Sequence, residues 1–185
     1  TFNQRFPDDW KQVLNKRSIF YQRLTAEKKA LFEKRVQIFL AYKKIVGVKS
    51  VVDDETRILV AASAIIPTFA FPAFDYPELT EILIYPTQFN QNFDFESPDK
   101  SKQNIMGMVG NGYMNHVMLL SKDALLLGFD GRVSKDNVGV HEFVHLLDKV
   151  DGVIDGVPER LTEHSYVMPW LHLIKVEMDK IRMGE

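Results

Sequence analysis

The feature that most constrains this chain is the run His141-Glu142-Phe143-Val144-His145, which follows Asp136 and Asn137. Asp and Asn favour the position just before a helix, so the sequence predicts a helix that begins here. At about 3.6 residues per turn, His141 and His145 then lie one above the other on one face of that helix. Two imidazoles placed in this way predict a site for a single metal ion.

Zinc suits this pair of histidines well, although the pattern leaves other divalent metals open. The chain contains no cysteine, which excludes disulfides and thiolate ligands and leaves histidine, carboxylate and water as ligands. Glu142 lies about 100° around the helix from His141. Its carboxylate is therefore a candidate for the general base that takes a proton from a water activated by the metal.

The opposite face of the predicted helix is apolar. Four apolar residues lie roughly opposite the two histidines, flanked by Val144 and Leu146, so we expect this side to pack in the core: Val140, Phe143, Leu147 and Val150. Asp148 comes three residues after His145 and joins the histidine face. We predict that Asp148 accepts a hydrogen bond from the second ring nitrogen of a ligand histidine or from the backbone.

The run Val138–Asp148, with Asp151 and Gly152 just beyond it, resembles the Mlc titration factor A family of zinc-dependent peptidases. Its most specific part is His-Glu-Phe-Val-His-Leu-Leu-Asp. Three other stretches are similar to the same family: Phe6–Trp10 with Val13 and Leu14, Glu81–Pro86, and Val117–Ser121 with Asp123 and Gly131. The resemblance runs from about Phe6 to Asp151.

The resemblance implies a single zincin-like peptidase domain over residues 1–185, with Zn²⁺ held by His141 and His145 and with peptide or protein substrates. It also implies a third metal ligand, a glutamate several tens of residues past the second histidine. We expect that ligand beyond Glu185, so that the domain is incomplete at its C-terminus. Within the chain, the alternative third ligands are Asp151, Asp155 and Glu163.

The family name points to a second class of function. The family is named for sequestering a transcriptional repressor of sugar uptake, so the resemblance also implies a non-catalytic regulator that binds such a repressor. A peptidase needs a complete metal site, whereas a protein that holds a partner needs an intact surface. The two functions therefore differ in what a change at His141 or Glu142 would do.

The fold class expected from the sequence is α+β, mostly helical around a small, largely antiparallel sheet, with the metal motif on a central helix. The sequence predicts three helices here: one from Thr25 to about Val46, a buried one over residues 58–66 that has its start signal at residues 53–56 and ends at Pro67, and a short one capped by Ser121. It also predicts a strand over residues 80–85 and a hairpin that joins residues 106–108 to 116–120 through Gly110-Asn111-Gly112.

A strand that precedes the metal helix is a candidate for substrate binding. Zinc peptidases of this design pair an extended substrate with the edge of a strand through the backbone. By chain order the candidates are Val117, Met118, Leu119 and Leu120. The alternative is that these residues form an ordinary buried strand. His116, just before them, is a further ligand candidate, although a histidine at a strand start more often lies at the surface.

The distribution of charged and apolar residues bears on whether the chain contacts nucleic acid or a membrane. Residues 1–50 hold twelve Lys and Arg against four Asp and Glu, whereas residues 51–185 hold eleven against twenty-one. We interpret the basic segment as a solvated helix face and expect no direct contact with nucleic acid. No apolar run approaches the roughly 18 residues of a membrane span, and no signal-peptide pattern opens the chain. The sequence therefore predicts a cytoplasmic protein without membrane contact.

Overall fold

A computed structural model of the chain describes residues 5–70, 75–90, 92–94, 105–109, 116–131 and 137–148; residue 148 is described through its backbone alone. The chain divides into two compact units, Thr1–Val144 and His145–Glu185. In the second unit the described residues are 145–148, which end the last described helix. The single peptidase domain over residues 1–185 stays a prediction.

The described residues form helices and strands in mixed order. The helices are α1 (Asp8–Arg17), α2 (Ile19–Gln22), α3 (Ala26–Tyr42), α4 (Asp54–Thr68), α5 (Lys122–Gly128) and α6 (Val138–Asp148), and the strands are β1 (Lys44–Gly47), β2 (Glu81–Tyr85), β3 (Gly107–Val109) and β4 (Val117–Ser121). None of these helices is long and apolar enough to cross a membrane.

Helix starts follow the capping residues that the sequence predicts. The Thr25 side chain accepts a hydrogen bond from the backbone nitrogen of Lys28 at 3.4 Å, and Ser121 accepts one from Ala124 at 3.2 Å. Both contacts satisfy a backbone N–H that has no partner inside its own helix. Local sequence therefore determines where α3 and α5 begin.

The end of α3 differs from the prediction. The helix stops at Tyr42, and Lys44–Gly47, which the sequence placed in or at the end of the helix, form β1. β1 pairs with β2 in parallel register, from Lys44 opposite Glu81 to Gly47 opposite Ile84. Hydrogen bonding to a strand far away in sequence thus overrides the helical pattern of this segment.

The sheet has the strand order β1-β2-β4-β3. The α+β class is confirmed, and so are the strand that ends at Tyr85 and the antiparallel pairing of β3 with β4. The expectation of a largely antiparallel sheet is wrong, because β2 pairs in parallel with both β1 and β4. The reason is connectivity: α4 lies between β1 and β2 in the chain, and a helical crossover of this kind joins parallel neighbours.

The core lies on the sheet face that carries Ile82, Ile84, Met118 and Leu120, all fully buried. Side chains in register on neighbouring strands share a face, and Ile82 lies opposite Met118 and Ile84 opposite Leu120. The other face carries a separate cluster of Tyr85, Phe89 and Leu119. Alternation along the strands therefore separates two layers of apolar packing.

Helix α4 is the buried helix that the sequence predicts. Residues 58–62 are all fully buried. The helix begins at Asp54, inside the start signal that the sequence places at residues 53–56, and continues one residue past Pro67, which the sequence predicted as its end. In its last turn, the hydroxyl of Tyr76 donates a hydrogen bond of 2.7 Å to the carbonyl of Ala64, which satisfies a buried backbone acceptor.

Asp53 connects the start of α4 to α5. Its carboxylate accepts hydrogen bonds from the Thr56 backbone nitrogen at 2.8 Å, the Thr56 hydroxyl at 2.6 Å and Lys122 Nζ at 2.9 Å. Burial acts to raise the pKa of Asp53, but the hydrogen bonds from Thr56 and Lys122, with the charge of Lys122, together outweigh it and lower that pKa to about 2.

We expect Asp53 to make stability depend on acid pH. Its folded pKa of about 2 lies below the unfolded value of about 3.9, so its charge stabilises the fold above pH 4 and this contribution is lost as the pH falls toward 2. In urea unfolding, Asp53→Asn should unfold more easily than the wild type at pH 6, with the difference shrinking below pH 4. Asp9→Asn in the exposed first turn of α1 is the control; an equal, pH-independent effect of both variants would contradict the assignment.

Candidate active site on helix α6

Helix α6 begins at the capping residue that the sequence predicts. Asn137 Oδ1 accepts a hydrogen bond from the backbone nitrogen of Val140 at 3.0 Å, and the Asn137 carbonyl accepts one from His141 at 2.9 Å. The side-chain amide of Asn137 also donates to the carbonyl of Gly128 at 3.0 Å. Asn137 therefore both starts the helix and ties its N-terminus to the end of α5.

Gly139 lets the first turn of α6 approach α4 closely. A Cβ atom at this position would overlap Ser63 Oγ and would lie 2.9 Å from both Ser63 Cβ and Leu125 Cδ1. Ser63 is fully buried and donates its hydroxyl proton to the Leu59 carbonyl at 2.9 Å. The missing side chain thus sets the distance between α6 and the buried helix α4.

Phe143 is the residue that anchors the middle of α6. It is 0% exposed, and its ring lies 5.8 Å from the ring of Phe39 at 74° and 5.0 Å from that of Tyr76 at 60°. The predicted burial of Phe143 and Leu147 is confirmed. The expected burial of Val144 is wrong, since its side chain is 44% exposed and lies nearer the histidine side of the helix.

The histidines occupy the side of α6 opposite Phe143. Residues 138–148 are continuously helical, and both His141 and His145 are exposed. Their spacing of four residues places them on one face, as the sequence predicts. Two exposed imidazoles on one helix face fit the donor set that Zn²⁺ prefers, so these two residues suit a metal site.

A third ligand is not among the residues that the structure describes. Within those ranges, no group of three or more His, Asp or Glu side chains is placed to hold a metal ion. Asp151, Asp155 and Glu163 lie outside the described residues, and so does the side chain of Asp148. The predicted roles of these four residues stay predictions.

Glu142 differs from its two histidine neighbours in being buried. Its side chain is 7% exposed. Burial raises the pKa of Glu142, because it penalises the charged form, and the charge of His141 opposes that rise. Among the described side chains, no polar atom is both buried and without a hydrogen-bond partner. A carboxylate with a raised pKa beside a candidate metal ligand is suited to accept a proton.

The structure brings Gly107 of β3 against Glu142, a contact that sequence reasoning missed. A Cβ atom at Gly107 would lie 2.6 Å from Glu142 Cγ and 2.8 Å from Oε1. The available signal is the glycine itself, because a glycine inside a strand often marks the close approach of another group.

The strand predicted to bind substrate lies inside the sheet and not at its edge. Val117–Leu120 belong to β4, which pairs with β2 on one side and with β3 on the other. These residues therefore present no open edge to a substrate, and Met118, Leu119 and Leu120 are fully buried. The alternative of an ordinary buried strand describes them. His116, before β4, is exposed and lies with Nδ1 2.7 Å from the Glu78 carbonyl.

We expect Gly139→Ala to destabilise the protein, although alanine favours a helix over glycine by about 1 kcal/mol. The added Cβ must overlap Ser63, and overpacking of this kind costs about 1–3 kcal/mol. Urea unfolding of Gly139→Ala, Ser63→Gly and the double variant measures the effect. Two outcomes would show that the contact with Ser63 does not limit the packing. One is a Gly139→Ala protein that is more stable than the wild type, and the other is an equal loss of stability from Gly139→Ala with and without Ser63→Gly.

Comparison with known proteins identifies the family to which this chain belongs. The family model for the glucose-regulated metallo-peptidase M90 matches residues 1–185. The uncharacterized protein slr2042 of Synechocystis sp. is 28% identical over 169 residues, which cover 89% of this chain and 61% of that protein. The chain thus spans about three fifths of the length of this relative. Because the family model covers the whole chain, the chain belongs to the glucose-regulated metallo-peptidase M90 family, the Mlc titration factor A family.

Proposed function

We propose that this chain carries the metal-binding helix of a zinc-dependent peptidase, in which His141 and His145 bind zinc and Glu142 is the general base. The observation that carries the proposal is the contrast on α6 between two exposed histidines on one face and one buried glutamate with a raised pKa. Family membership supports a metallopeptidase. The zincin-like fold and the cytoplasmic location belong to the same proposal.

The chain's own residues have separate tasks in this mechanism. When bound, zinc supplies Lewis-acid activation of a water and of the scissile carbonyl. His141 and His145 would hold the metal ion through ring nitrogens that they present from one helix face. Glu142 accepts the proton of the attacking water and passes it to the leaving amine, so one carboxylate is first the base and then the acid. Burial favours the protonated form of Glu142 that the second step requires.

Substrate binding is assigned to β3 in place of β4. Among the described residues, β3 is one of the two end strands of the sheet, and the one that lies against Glu142. Met106 accepts a hydrogen bond of 2.8 Å from Ser121, the residue that ends β4. Because backbone groups alternate in direction along an antiparallel strand, those of Gly107 and Val109 point away from β4. An extended peptide or protein substrate would pair with these groups, next to Glu142.

The regulator that binds a repressor of sugar uptake stays a prediction, because no contact of the described residues bears on it. It differs from the peptidase in one measurable respect. Binding to a repressor would survive replacement of Glu142, whereas hydrolysis would not.

We expect Glu142→Gln to lower kcat for a fluorogenic peptide by about 10²–10⁴-fold, the usual effect of losing a general base. Glutamine has nearly the same shape but cannot take the proton, so zinc content should stay unchanged. The assay is run on the full-length native protein that contains this chain. Glu81→Gln on β2, ion-paired with Lys44, is the control for removing a carboxylate. Hydrolysis by Glu142→Gln at the wild-type rate would show that the proposed mechanism is wrong.

We expect zinc content to depend on the two histidines. Elemental analysis of protein purified without chelator should give about one zinc per chain for a form extended past residue 185. His141→Ala and His145→Ala should each lose most of that metal, because two protein ligands are too few for a structural or catalytic site. His116→Ala is the matched control. Equal zinc in all four proteins would contradict the assignment.

A further inference from the structure

We infer that Gly107 is a positioning residue for Glu142: the bare backbone of β3 at this point forms the wall against which the Glu142 side chain rests, and any larger residue displaces the carboxylate. The inference rests on the proposed role of Glu142 as general base. It adds a residue from a different part of the chain to the site, one that neither binds metal nor reacts.

The sheet register turns Gly107 toward the buried layer. Gly107 lies opposite Leu120 in the antiparallel pair. Residues opposite each other on paired strands share a face, and Leu120 is fully buried in the core face of the sheet. A Cβ atom on Gly107 would therefore point to the core side of the sheet, where the Glu142 side chain lies.

The distances leave no room for a side chain at this position. A Cβ on Gly107 would lie 2.6 Å from Glu142 Cγ, 2.8 Å from Oε1 and 2.9 Å from Cδ. All three values are well below an ordinary contact of about 3.5–4.0 Å between carbon atoms. The nearest atom is the Cγ, in the middle of the side chain, so a movement of the carboxylate alone would not relieve the overlap.

Neither backbone is free to retreat. Helix α6 is held by Phe143 between the rings of Phe39 and Tyr76, and by the contact of Gly139 with Ser63. Strand β3 is held by its pairing with β4. The Glu142 side chain is therefore the part that must change rotamer, which moves its carboxylate away from the histidine face. Misplacement of a reacting group by about 1 Å can cost about 10²-fold in rate.

The test compares Gly107→Ala with Gly131→Ala in the full-length native protein. A Cβ on Gly131 would meet Ile19 Cδ1 at 2.5 Å, the end of a flexible side chain that can turn aside. With a fluorogenic peptide, Gly107→Ala should lower kcat at least tenfold, with KM and zinc content within twofold of wild type. Gly131→Ala should keep the wild-type kcat. Equal kcat for the two variants would overturn the inference.

A thermodynamic cycle gives a readout that does not need activity. Glu142→Ala removes all three atoms that the new Cβ would meet, so the fall in Tm caused by Gly107→Ala should largely disappear in the Glu142→Ala background. An equal fall in both backgrounds would overturn the inference. If Gly107→Ala does not fold, a cooperative unfolding transition in the double variant supports the contact, and failure of both to fold overturns it.

The two proposals fail separately. Wild-type hydrolysis by Glu142→Gln would remove the proposed function, whatever Gly107→Ala does. Loss of hydrolysis in Glu142→Gln together with a wild-type kcat in Gly107→Ala would leave the function standing and remove the positioning role of Gly107.

Discussion

The packing of Phe143 against Phe39 and Tyr76 is the interaction on which the rest of the candidate site depends. Burying a phenylalanine contributes about 1.5–3 kcal/mol, and each favourable ring pair adds about 0.5–1.5 kcal/mol. Side chains on one helix point in fixed directions relative to each other. When the Phe143 side chain is buried in the core, the two histidine side chains must therefore point away from it. The orientation of the histidine face is therefore set by apolar contacts on the other side of α6.

Two glycines determine how close the elements around Glu142 come to each other. Gly139 lets α6 approach Ser63 on the buried helix α4, and Gly107 lets β3 approach the glutamate. The result is a carboxylate that is mostly removed from water while its histidine neighbours stay exposed. Burial raises the pKa of Glu142, so the packing of small residues bears directly on the proton chemistry proposed for this site.

Local structure was predictable where its cause is local. Thr25, Ser121 and Asn137 cap helices as expected, because a short polar side chain satisfies a backbone N–H within three residues. The run Lys44–Gly47 was not predictable as a strand, since it depends on pairing with β2, almost forty residues away. The parallel direction of that pairing was missed for the same reason, because no short-range pattern reports which strands become neighbours.

The sequence by itself determined the helix of the candidate site and the roles open to His141, Glu142 and His145, because helical periodicity converts their spacing into a shared surface. Tertiary structure alone decided that Val117–Leu120 lie inside the sheet and that Gly107 lies against Glu142. The physical reason is range. Periodicity and capping act over a few residues, whereas strand order and the contact of β3 with α6 depend on how distant segments fill one core.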